Sequence, residues 1–290
     1  MDASAGAGDF VSIATDPVSG SLIEIAYFDA SAGSLKLATS TNTGASFTTQ
    51  TIDAAGSVGE SPSIYINHLD LASIAFYNQT THHLQFAAQT LNRQWHISTI
   101  DARRDVGRDA VMAASPSGSL SVAYSDDARG WLKLATQKSN GTWQIDKAAV
   151  APGGVEGIAL GYGGTDTAAI AFYDIARHKL RVAEMTDSSS VSFSTTTVAA
   201  DVGESTEICL AFNSGETPIL FAFDATDDNV LEFQWDDYRD FWVRQFDPTA
   251  TLVAGGGKYL SLTDDGGVEM AAYLESTTGG LTVSRIATVS

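Results

Sequence analysis

The chain has 290 residues, with 26 glycines, 6 prolines and one cysteine, and its 35 acidic against 16 basic side chains leave a formal charge of −19. That balance excludes non-specific nucleic-acid binding, because a phosphate backbone requires a basic surface. No apolar run reaches the roughly 18 residues of a membrane helix, so no membrane partner is expected.

From the N-terminus, Gly8 precedes an alternating apolar stretch, and "IAYFDASAGSLKLA" from Ile25 places two period-2 strands around a turn at Asp29. A polar turn, "STNTGASF" (Ser40 to Phe47), leads to a further strand. The set then recurs. Gly59 precedes the strand at "SIYIN", "IAFYNQTTHHLQFA" pivots at Asn78, and Trp95 follows a polar turn. The third copy has Gly107, "VAYSDDARGWLKLA" with its pivot at Asp126, and Trp143. The fourth has Gly153, "IAFYDIARHKLRVA" with Asp174, and Phe193. The fifth has Gly203, "LFAFDATDDNVLEFQ" with Asp224 and one inserted residue, and Trp242. The sixth has Gly255 and "AAYLESTTGGLTVS" with Glu275.

The pivots lie 48 to 51 residues apart. Self-similarity at this period, with four alternating strands per repeat, predicts an all-β chain folded as a six-bladed β-propeller. Each blade reads as strand A after the glycine, B ending at the pivot, C at the "LKLA" segment and D around the aromatic. Residues 1–290 form one domain in this reading. The sequence stops where strand C of the sixth blade ends, so that blade is expected to lack a full fourth strand. The pivots are expected to cap the B–C turns through Asx hydrogen bonds. Tyr27, Phe76, Tyr124, Phe172 and Tyr273 recur and are expected in the core.

The turn "STNTGASF" resembles the Asp-box of sialidase-like propellers, with Asn42 in the Asp place and Phe47 in the Trp place. "SNGTW" (Ser139 to Trp143) is a shortened version, and "DDYRDFW" (Asp236 to Trp242) keeps the acid and the aromatic. The resemblance implies the fold and a structural role for the box. The family's three arginines and Tyr–Glu pair find no counterpart, so sialidase activity is not expected. Size and repeat number are also similar to fungal fucose-binding lectin propellers, although strand C reads "LKLA", "LQFA", "LKLA", "LRVA" without their recurring Glu. A family-level similarity extends to secreted fungal natural-product cyclases of the hetero-Diels–Alder type.

Residues that break the repeat point to function. His82 and His83, Arg129 and Trp131, and Arg177 and His178 fall in the B–C turns of blades two, three and four. Arg103, Arg104 and Arg108 fall in the D–A loop between blades two and three. These are expected to form a basic arc on the B–C/D–A face, opposite an acidic arc of Asp9, Asp29, Glu204, Asp227, Asp228 and Glu275. His82, His83, Arg177 and His178 suit proton transfer and oxyanion stabilisation. Arg108, Arg129, Trp131, Tyr77 and Tyr173 suit substrate contact, with Trp131 read as a turn residue able to stack on a ring. The bland alternative is that these loop side chains are simply solvated.

No coherent metal-ligand set and no cofactor fingerprint is present; "DATDDN" (Asp224 to Asn229) lacks EF-hand spacing. Cys209 in "EICLAF" reads as a buried, inert thiol. The acidic composition and the sequons at Asn78 and Asn140 suit a secreted chain whose leader has been removed. Two functions stay open: a cofactor-independent enzyme of lyase or cyclase type with one small-molecule pocket, and a carbohydrate-binding lectin propeller.

Overall fold

The computed structural model describes residues 6–187, 191–200, 202, 207–212, 216–224, 229–236 and 241–244, and, as backbone, 256–264, 269–275 and 281–286. The chain divides into two compact units. The first comprises Met1–Ala114, Leu120–Arg129 and Lys133–Ile145; the second comprises Ser115–Ser119, Gly130–Leu132 and Asp146–Ser290.

The described strands form six antiparallel sheets in which consecutive strands are neighbours. The first holds β1 (Ala7–Thr15), β2 (Ile23–Asp29), β3 (Ser34–Ser40) and β4 (Thr48–Asp53). The second holds β5 (Val58–Ile66), β6 (Ala72–Asn78), β7 (His83–Gln89) and β8 (Trp95–Asp101). The third holds β9 (Val111–Ala114), β10 (Leu120–Asp126), β11 (Trp131–Gln137) and β12 (Trp143–Val150). In the fourth, β13 (Val155–Tyr162), β14 (Ala168–Asp174), β15 (Lys179–Asp187) and β16 (Ser192–Ala200) are joined with a 3-10 turn at Ile175–Arg177. The fifth holds β17 (Ile208–Phe212), β18 (Pro218–Asp224), β19 (Asn229–Asp236) and β20 (Phe241–Arg244). The sixth has three described strands, β21 (Gly256–Asp264), β22 (Glu269–Glu275) and β23 (Leu281–Ile286).

Every second strand ends on its pivot residue. The reason is chemical: an apolar run such as "IAFY" must be covered on both faces, and the next residue is polar and turn-forming. Accordingly β6 and β14 are buried along their whole length, whereas outer strand β4 is largely exposed. Tyr27, Phe76, Tyr124 and Phe172 are buried. The side chain of Tyr273 lies outside the described residues.

In the first unit the repeat glycine sets how closely successive sheets approach. Gly59 and Gly107 have φ of 105° and 103°, which side-chain-bearing residues rarely adopt. A Cβ on either would stand 2.7 Å from the Cβ of Leu35 or Leu84, each near the start of the preceding sheet's third strand. Behind these contacts lie two buried clusters, one around Leu37, Ile64 and Phe76 and another around Phe86, Val122 and Tyr124. The second unit has its own, around Tyr173, Leu220 and Phe233.

The Asp-box turn is tied as its chemistry suggests. The Ser46 amide donates to Asn42 Oδ1 at 3.0 Å, and the Gly44 amide donates to Ser40 Oγ at 2.9 Å. Three expectations need correction. Trp131 opens strand β11, because Gly130, with φ 62°, already closes the turn. Asp29 is 1% exposed and belongs to no acidic rim. Cys209 is intermediate in exposure on β17 rather than buried. Of the acidic arc, the side chain of Asp9, residues Glu204, Asp227 and Asp228, and the side chain of Glu275 lie outside the described residues.

Candidate functional site

The pivots are built into the scaffold. Asp29 accepts from the amides of Ser31 and Ala32, both at 3.1 Å, and from Lys36 Nζ at 2.6 Å. Lys36 foremost, then the Ser31 hydroxyl, holds the Asp29 carboxyl well below the usual carboxylate range. Asn78 accepts from the Thr80 and Thr81 amides and donates to Gln85 Oε1 at 2.9 Å. Asp126 accepts from the Arg129 amide and pairs with Lys133. Asp174 accepts from the Arg177 amide and pairs with Arg181 at 2.8 Å. In each case the partner lies seven residues on. Where the pivot becomes an amide, its partner becomes an amide too, so no charge is left unmatched in the interior.

The loop cations are matched as well. In the first unit Arg103 meets Asp101 at 3.2 Å, Arg104 meets Asp105 at 3.4 Å, and Arg129 meets Asp126 at 3.3 Å. Arg108 lies 3.5 Å from Asp127 and 3.9 Å from Glu60. In the second unit Arg177 reaches Asp174 at 2.7 Å and the Val150 carbonyl at 3.4 Å. A ligand anion at these arginines would have to compete with carboxylates already in place.

Beneath Arg103 and Arg129 lies a buried network. Lys133, 2% exposed, bridges Asp101 at 3.1 Å and Asp126, and the Tyr124 hydroxyl donates to Asp101 at 2.9 Å. Burial acts to raise the Asp101 carboxyl pKa; the Arg103 amide, Tyr124 and Lys133 outweigh it and hold the group below its ordinary value. Burial, reinforced by Asp101, pushes the Tyr124 phenol far up.

Two histidines share one local design. His82 and His178 each stand four residues after a pivot, with φ of 60° and 52°. The same place is taken by Gly33 and Gly130 in the first and third sheets, with φ of 60° and 62°. A histidine in this left-handed conformation gains a compensating bond. Tyr77 Oη lies 2.7 Å from His82 Nδ1, and Tyr173 Oη lies 3.2 Å from His178 Nδ1. Glycine needs no such bond, and the corresponding partners there are Phe28 and Ser125. Tyr77 and Tyr173 are themselves fully buried, so they position a histidine rather than touch a ligand.

Around His82 the first unit assembles a cluster. Asp105 Oδ1 lies 3.0 Å from the same Nδ1. The Arg108 guanidinium sits 4.8 Å from the Tyr77 ring centre, and Glu60 also accepts from Gln79 Nε2 at 2.6 Å. Burial foremost raises the Tyr77 phenol, so it stays protonated. A carboxylate only accepts, so Nδ1 carries a hydrogen and faces both oxygens, and Nε2 is the nitrogen turned away from them. The imidazole is 40% exposed and can meet a ligand.

Thus Tyr77, His82 and Arg108 come together, with Glu60 and Asp105, which sequence reasoning missed. The available signal was the joint recurrence of Tyr and His around the pivots of the second and fourth repeats. His83 begins β7 opposite Asn78. Tyr173 and His178 pair in the second unit, beside Arg177 on Asp174. Trp131 has the Lys147 ammonium 5.2 Å from its ring centre. Among the described residues no group of three or more His, Cys, Asp or Glu is placed to hold a metal ion.

No family model and no curated protein sequence matches the chain. Solved structures do. A protein of unknown function from Dyadobacter fermentans is similar over 97% of this chain and 93% of its own, at 10% identity and a TM-score of 0.64. A Hadza microbial sialidase is similar over 97% of this chain and 66% of its own, at 15% identity and 0.62. The Aleuria aurantia lectin in complex with α-methyl-L-fucoside is similar over 98% of this chain and 96% of its own, at 12% identity and 0.55. The chain is an all-β, six-bladed β-propeller. At these identities the likeness is one of fold, and function rests on the sites themselves.

Proposed function

We propose that this propeller is a cofactor-independent enzyme acting on a small molecule at the loops after its second strands, with His82 as the acid–base group. The observation that carries the reading is the His82 geometry: Nδ1 faces Tyr77 at 2.7 Å and Asp105 at 3.0 Å, which leaves Nε2 for proton exchange. Arg108 and Glu60 supply polar groups close by, His83 is proposed to assist from the start of β7, and matched charges suit an uncharged substrate. Elimination and cyclisation require no more than such a proton transfer and a polarised oxygen. Arg129, in the loop after β10 of the same unit, is proposed to contact substrate.

A second reading, binding without turnover, is favoured by one observation: the Tyr–His pair recurs at His178. The structural neighbours include a lectin holding a fucoside and a sialidase, which makes carbohydrate the ligand to try.

The test is turnover and calorimetry on the intact chain with a library of neutral glycosides and enolisable carbonyl compounds, products being identified by mass spectrometry. His82→Ala should lower turnover about 100-fold or more, while His96→Ala, at an exposed position on β8, should leave it unchanged. Turnover unaffected by His82→Ala would reject the catalytic reading. Two equivalent ligands per chain without product would establish the binding one.

A further inference from the structure

Two Asn-x-Thr sequons stand in the chain, one from Asn78 to Thr80 and one from Asn140 to Thr142. The fold separates them. Asn78 is a pivot, 4% exposed, and both ends of its amide are in use. Its Oδ1 accepts from the Thr80 amide at 2.9 Å and the Thr81 amide at 3.0 Å, and its Nδ2 donates to Gln85 Oε1 at 2.9 Å. A sugar on Nδ2 would displace Gln85 from a slot closed to solvent, so that modification and this turn exclude each other.

Asn140 has the opposite surroundings. It lies in the turn between β11 and β12, where the residues from Lys138 to Thr142 are all exposed. Two backbone bonds of 2.8 Å close the turn, from the Lys138 amide to the Thr142 carbonyl and from the Gly141 amide to the Lys138 carbonyl. The Thr142 amide and hydroxyl both donate to Asn140 Oδ1, at 3.0 and 2.7 Å. The atom a glycan would take, Nδ2, is therefore not the one that ties the turn. Space is open as well: nothing stands within 4 Å of a Cβ added at Gly141. Strand β11, 7 residues long, separates this turn from the Asp126 pivot by roughly 20 Å. A glycan here would stand at the far end of its sheet from Arg129.

We propose that Asn140 is an N-glycosylation site of the exported chain and that Asn78 stays unmodified in the folded protein. A transferase of a eukaryotic secretory pathway would join Asn140 Nδ2 to the anomeric carbon of an oligosaccharide carried on a polyprenyl diphosphate. The bond from that carbon to the diphosphate oxygen breaks, the diphosphate leaves with the electron pair, and one Nδ2 proton passes to the transferase. The inference rests on export of the chain and not on His82 chemistry.

Expression of the full chain behind a cleavable leader in a eukaryotic secreting host tests it. Peptide mapping by mass spectrometry, before and after peptide N-glycosidase, reads both sequons in the secreted chain and in leader-cleaved chain recovered from the cells. The expected result is a glycan on Asn140 and none on Asn78 in the secreted chain. Asn140→Gln and Thr142→Ala should each abolish the glycan, and Thr142→Ser, which keeps the hydroxyl, should retain it. An unmodified Asn140 in both fractions would overturn the inference. So would a glycan on Asn78 of the secreted chain.

Discussion

Arg181 meets Asp174 at 2.8 Å in the position where Gln85 meets Asn78 at 2.9 Å. One architectural slot is thus filled either by an ion pair or by two amides, and the two solutions should be exchangeable. Asp174→Asn alone leaves the cations of Arg177 and Arg181 facing an uncharged amide and should cost about 3 kcal/mol. Adding Arg181→Gln should recover part of that loss, as the second sheet's pair already demonstrates. Urea unfolding of the single and double variants measures both.

Lys133 is the only buried lysine among the described residues, and its ammonium neutralises Asp101 and Asp126 together. Lys133→Met should lower stability by about 3–5 kcal/mol, because two buried carboxylates lose their shared counter-ion. Adding Asp101→Asn should restore a measurable part. An unchanged unfolding midpoint in Lys133→Met would show that Arg103 and Arg129 suffice.

The Tyr77–His82 bond offsets a left-handed backbone. Tyr77→Phe should therefore cost about 1 kcal/mol, the net worth of one hydrogen bond. His82→Gly should cost less, since glycine adopts φ near 60° without strain. A double-mutant cycle should give a coupling of about 1 kcal/mol. A coupling near zero would mean that the phenol does not hold the imidazole.

At Gly59 both conformation and space forbid a side chain. Gly59→Ala should destabilise by about 1–3 kcal/mol, through strain at positive φ and overlap with Leu35. Gly8→Ala is the matched control: its φ is 101°, but nothing stands within 4 Å of an added Cβ. The difference between the two unfolding midpoints isolates the packing contribution.

Two carboxyls should give opposite pH signatures. The Ser19 and Leu22 amides lower Asp16 from 3.8 to about 2. Its stabilising effect is present above pH 3.8 and is lost as pH falls through about 2. Glu24 is shifted the other way, raised above 4.5 by burial, and its Oε2 has no hydrogen-bond partner. Its contribution is lost as pH rises past 4.5. Glu24→Gln should thus raise the melting temperature at neutral pH, and Asp16→Asn should flatten the acid limb. Melting curves across pH in the two variants check the signs.

The sequence by itself determined the blades. Apolar runs alternating with turn residues at one period leave few other ways to bury them, and so every second strand ends at its pivot, from Asp29 to Glu275. The Asp-box turn at Asn42 was legible for the same reason, since its bonds are local. What the tertiary structure decided were partners distant in sequence. Arg108 reads as part of a cationic arc, because nothing in the order of residues says that Asp127 and Glu60 stand within ion-pair reach. The His82 cluster draws Glu60 from β5 and Asp105 from the loop after β8. Strand periodicity is written residue by residue along the chain, whereas charge matching depends on which turns the packing of sheets brings face to face.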